Sequence, residues 1–64
     1  MNISNEREVN NMKAYNLYYN QKVTLIPAES FFAVYWSQKS WYTKGTVLFI
    51  EDVETGDLRK FVVE

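Results

Sequence analysis

Two apolar runs around a turn constrain this chain most. Residues 45–53 (GTVLFIEDV) and 57–63 (DLRKFVV) flank Glu54-Thr55-Gly56. Val, Ile and Phe fit a pleated, half-buried surface better than a helix. Gly56 supplies the positive φ that a three-residue hairpin loop requires. Pairing Val53 with Asp57 puts Val47, Phe49, Phe61 and Val63 on one face, with Glu51 opposite Arg59. Leu48, Ile50, Leu58 and Val62 then share the other face with Asp52 and Lys60. A bulge at a glycine shifts this register by one and exchanges the partners. In either register both faces are apolar, which suits a small barrel better than a one-sided sheet.

The preceding residues supply strands for this hairpin. Tyr15, Leu17 and Tyr19 form the more apolar set of an alternating run. Asn20-Gln21 reads as a turn and residues 22–26 (KVTLI) as a second strand. Pro27 ends that strand or marks a sheet edge, because it cannot donate to a ladder. Residues 28–30 form a bend. The unbroken run 31–36 (FFAVYW) reads as a central strand needing cover on both faces. With residues 37–40 as a loop, Trp36 faces Trp41 and Tyr35 faces Tyr42 across a ladder. Gly45 allows a bend or bulge into the final hairpin. The expected fold is mostly all-β: a small antiparallel sheet, or an SH3-like or OB-like barrel, of four to five strands.

With 64 residues and no Cys, one domain must hold itself together without disulfides or a thiolate metal site. No apolar run is long enough to span a membrane, and no signal-peptide pattern opens the chain. A cytoplasmic setting fits these features; its assignment to a bacterium or a phage-infected cell comes from a ribosome-binding sequence with which residues 6–12 can be encoded.

Residues 1–11 are polar and read as a tail or a short helix, Asn5-Glu6-Arg7-Glu8 having capping-box spacing. They also admit a genetic reading. Residues 6–11 and Met12 can be encoded with GGAGGTGA, a ribosome-binding sequence, ahead of a start codon at Met12. On that reading residues 1–11 are a translated leader and residues 12–64 the β domain. Removing Glu6, Arg7 and Glu8 leaves six basic against six acidic residues.

The inventory of reactive groups is short. No His is present, so the commonest general base and transition-metal ligand is absent along with the thiol. The 2 glycines lie far apart, leaving no phosphate-cradling loop. The acids Glu51, Asp52, Glu54 and Asp57 miss the spacing of a calcium loop and read as turn residues. No catalytic residue, cofactor or metal is expected.

Aromatic content is the outlying feature: 2 Trp, 5 Tyr and 4 Phe exceed what so small a domain can bury. Most fall in residues 13–48, where Lys13, Lys22, Lys39 and Lys44 face only Glu29. A surface of Tyr35, Trp36, Lys39, Trp41, Tyr42 and Lys44 is therefore the candidate partner-binding site. Trp and Tyr bury much area with few rotors to freeze, which favours a protein partner. The expected function is a non-enzymatic, protein-binding accessory or inhibitor protein of a bacteriophage or mobile element. One alternative stacks single-stranded nucleic acid on Tyr35, Trp41 and Tyr42, although a near-neutral domain lacks the basic excess usual for that task. A second alternative is a homo-oligomer whose aromatics form its own interface.

Overall fold

Four antiparallel strands form one open sheet in the order β2-β1-β3-β4 in a computed structural model that describes residues 12–64. The strands are β1 (Lys13–Tyr19), β2 (Lys22–Ala28), β3 (Val47–Asp52) and β4 (Leu58–Val62). A helix, α1 (Phe31–Gln38), and a 3-10 turn over Lys39–Trp41 connect β2 to β3. The mostly β, four-stranded antiparallel expectation holds. The barrel form does not: β2 and β4 remain edges. The tail, capping-box and leader readings fall on residues 1–11, outside the described residues.

The first hairpin is tight. Asn20 and Gln21 have φ of 51° and 69°, the left-handed pair that matches the twist of a two-residue hairpin. Tyr19 then pairs with Lys22 and Tyr15 with Ile26. Pro27 lies within β2, which is an edge strand, where a missing N–H is tolerated.

The second hairpin keeps the expected strands but changes their register. Val47 pairs with Val62 and Leu48 with Phe61, one place from the Val53–Asp57 register. The loop has four residues, because the Asp52 N–H donates to Asp57 O at 2.8 Å and the Gly56 N–H to Asp52 O at 2.7 Å. Gly56 sits at φ 83°. The Asp52 side chain holds the loop too, its Oδ1 accepting the Glu54 N–H at 2.9 Å and the Thr55 N–H at 3.3 Å. That side-chain turn favours the longer loop. It also exchanges the faces of β4, so Phe61 joins Leu48 and Ile50 while Leu58 and Val62 join Val47 and Phe49. At the far end, Gly45 N–H donates to Val63 O at 2.7 Å and Val63 N–H to Thr46 O at 2.9 Å. Gly45 and Thr46 thus both oppose Val63, a bulge that Gly45 permits at φ 93°.

Residues 31–36 form a helix, not the expected central strand, so Trp36 does not face Trp41 across a ladder, nor Tyr35 Tyr42. Ser30 is the N-cap, its Oγ accepting the Ala33 N–H at 3.1 Å. Inside the run, Val34 and Tyr35 are buried and Phe31 half-buried, while Phe32 and Trp36 are exposed. That is i, i+3, i+4 periodicity, concealed because both faces of the helix are apolar. Topology also demands it. Strands β2 and β3 run in the same direction on either side of β1, so their connection must cross over the sheet.

The crossover defines the core. Tyr15, Leu17, Ile26, Ala28, Leu48, Ile50 and Val63 are buried together with Val34 and Tyr35 of α1. Each fully buried Leu, Ile or Val side chain contributes about 1.5–3 kcal/mol. Phe31 meets Tyr15 edge-on at 5.0 Å, and the Arg59 guanidinium lies over the Phe31 ring at 4.6 Å. No helix among the described residues is long and apolar enough to cross a membrane.

Candidate binding surface

The aromatic residues divide between structural and exposed roles according to the face of α1 they occupy. Tyr35, on the inner face, stacks on Phe61 at 5.2 Å. Its hydroxyl donates to Val62 O at 3.4 Å and accepts the Glu64 N–H at 3.2 Å. This side chain ties the end of β4 to the helix and is buried. Tyr42 is half-buried, edge-on to Tyr19 at 4.9 Å. Both expected contact residues are therefore committed to internal packing.

The outer face carries the candidate site. Phe32 and Trp36, one helical turn apart, meet edge-on at 5.7 Å. The Lys39 ammonium lies 4.5 Å from the Trp36 ring centroid and 5.6 Å from that of Tyr35. Trp36 is 55% exposed, and Trp41, in the 3-10 turn, is 77% exposed. Lys44 is exposed in the segment leading to the Gly45 bulge. Of the six candidate residues, Trp36 and Lys39 are brought into contact, Trp41 and Lys44 are presented to solvent, Tyr35 packs beside Trp36 and Lys39 from the inner face, and Tyr42 packs against Tyr19. Phe32 was missed; the i, i+4 spacing of Phe32 and Trp36 would have found it once the run was read as a helix.

A second exposed surface is the sheet face opposite α1. It carries Val23 and Leu25 of β2, Val47 and Phe49 of β3, and Leu58 and Val62 of β4. At its centre Glu51 Oε1 accepts hydrogen bonds from Tyr18 Oη at 2.6 Å and Asn16 Nδ2 at 3.3 Å. Tyr18, Phe49, Glu51 and Leu58 line a depression of about 380 Å³. The Tyr18 hydrogen bond, followed by that of Asn16, holds the Glu51 carboxyl below its ordinary range. The same bond, then burial and the Glu51 charge, raises the Tyr18 phenol.

Asp52 points to the opposite face and is the buried charged residue among those described. Burial opposes its charge. The Glu54 and Thr55 N–H groups and Lys13, 3.5 Å away, outweigh that penalty and hold the carboxyl below its ordinary value. Its Oδ1 holds the turn, and its Oδ2 is paired with Lys13 of β1.

Comparison with protein-family models, curated proteins and solved structures finds no match to this chain.

Proposed function

We infer that this chain is a non-enzymatic protein-binding module, of accessory or inhibitor type, that grips its partner with the outer face of α1 and the adjoining 3-10 turn. The supporting observation is the solvent-facing pair of Trp36, on a helix whose inner face is locked into the core, and Trp41, in the 3-10 turn that follows it. Large rings held on a rigid support bury area on binding while losing little conformational entropy. Phe32 extends the apolar contact, and Lys39 adds a cation at its border. Base stacking is less well supported, because Tyr35 and Tyr42 are engaged internally.

Affinity capture from cells of the source organism tests this reading. Wild type is expected to retain a specific protein that both Trp36→Ala and Trp41→Ala lose, while both variants keep the wild-type circular dichroism. Equal retention by both variants overturns the assignment. Salt-sensitive quenching of tryptophan fluorescence by oligo-dT would favour nucleic acid instead.

A further inference from the structure

We propose that the open face of the sheet is the interface of a homodimer, packed sheet on sheet against a second copy of this chain. Leu25 and Leu58, on the two edge strands, are 64% and 58% exposed. The pairing places them at opposite ends of one row across the sheet, Leu25–Asn16–Glu51–Leu58. The next row is Val23–Tyr18–Phe49–Lys60. The first row reads apolar, polar, polar, apolar in either direction. The second puts two aromatic rings between a Val and the aliphatic stem of a Lys.

A two-fold interface demands such a pattern, because one patch must complement itself. An axis along the strands lays β2 over the partner's β4. Leu25 then meets the partner's Leu58, Tyr18 meets the partner's Phe49, and Asn16 meets the partner's Glu51. Asn16 has a second amide hydrogen for that carboxylate. Lys60, on an edge strand, reaches the rim. Each face carries one carboxylate and one ammonium, so two copies meet without net repulsion.

The size is adequate. Four strands about 4.8 Å apart and five to seven residues long at about 3.3 Å per residue cover roughly 400 Å² in plan. Two such faces, with their side-chain relief, bury on the order of 1,000 Å², the lower end of specific interfaces. Interfaces at that end of the range are weak, so the expected dissociation constant is on the order of micromolar. Since α1 lies on the opposite face, dimerisation leaves both Trp36 surfaces outward and makes the assembly bivalent toward the partner inferred above.

Sedimentation velocity of the full chain from about 1 to 500 µM, a range spanning that constant, tests the proposal. Wild type is expected to shift from monomer to dimer. Leu25→Glu and Leu58→Lys are each expected to weaken the dimer by about tenfold or more. An equimolar mixture of the two is expected to recover dimers. In the mixed dimer the introduced carboxylate meets the introduced ammonium at one site, while Leu25 still meets Leu58 at the other. A folding defect would not be repaired by mixing. A wild-type monomer at every concentration overturns the proposal. So does a dimer unaffected by both variants, a mixture that stays monomeric, or a dimer abolished by Trp36→Ala instead.

Discussion

The two faces of this sheet have nearly the same hydrophobicity and very different surroundings. Beneath α1, Tyr15, Leu17, Ile26, Leu48 and Ile50 are at most 8% exposed. On the other side, Val23, Leu25, Val47, Phe49, Leu58 and Val62 lie between 40% and 64% exposed. The same four strands present both sets. What makes one face the core is the single crossover between β2 and β3, which brings Val34 and Tyr35 down on one side only. An apolar alternation therefore marks a face that can be covered; the connection decides which one is.

This contrast can be broken most forcefully at Leu48. Leu48→Ala leaves a cavity under the helix and is expected to cost about 2–5 kcal/mol in urea denaturation. Equal losses at Leu48 and at exposed Leu25 would erase the distinction between the faces. Removing the helix cap is next. Ser30→Ala deprives the Ala33 N–H of its acceptor and is expected to cost about 1 kcal/mol. An unchanged midpoint would mean that sheet contacts alone hold α1 in place. At the β1–β2 turn, Gln21→Gly relieves a side chain at φ 69° and is expected to raise stability by about 0.5–1 kcal/mol. Leu25→Ala, on the open face, is expected to stay within about 0.5 kcal/mol at concentrations where the chain is monomeric.

Acid titration probes each face through its own carboxylate, since Glu51 and Asp52 are neighbours pointing to opposite sides. Both carboxyls are held below their ordinary values, 4.5 for Glu51 and 3.8 for Asp52. Each therefore contributes stability that is complete above its unfolded value and disappears as pH falls through the lower folded one. Tyr18→Phe should remove the larger part of the acid sensitivity that belongs to Glu51, leaving the share held by Asn16 and the part that belongs to Asp52. Stability curves of the two proteins between pH 6 and pH 2 (a range of about four units that brackets both ordinary values) would show it. Superimposable curves would remove the assigned role of the Tyr18 bond.

Much of the sheet was legible locally. Asn20-Gln21, the alternation of Tyr15 and Leu17, Pro27 at an edge and the glycine of the second loop each correspond to a feature of the structure. The misreadings share one origin. Residues 31–36 are apolar on every side, so periodicity could not separate helix from strand; Ser30 was the available sign of a helix start. Two of the six candidate residues, Tyr35 and Tyr42, changed meaning with that correction. Tyr35 turned inward, Phe32 joined Trp36 outside, and Tyr42 came to rest against Tyr19. The register of β4 depended on one residue of loop length, set by the Asp52 carboxylate accepting from Glu54 and Thr55.

Local chemistry alone marked the four segments that became strands, the positions of the two hairpin turns, and that more rings exist than so small an interior can hold. Backbone propensity and turn geometry act over a few residues and leave their mark on neighbouring positions. Which rings are inside, which sheet face is covered and which partner each β4 residue meets were decided only by the tertiary fold. Those outcomes depend on where a crossover lands and on contacts such as Tyr35 with Phe61, far apart in the chain.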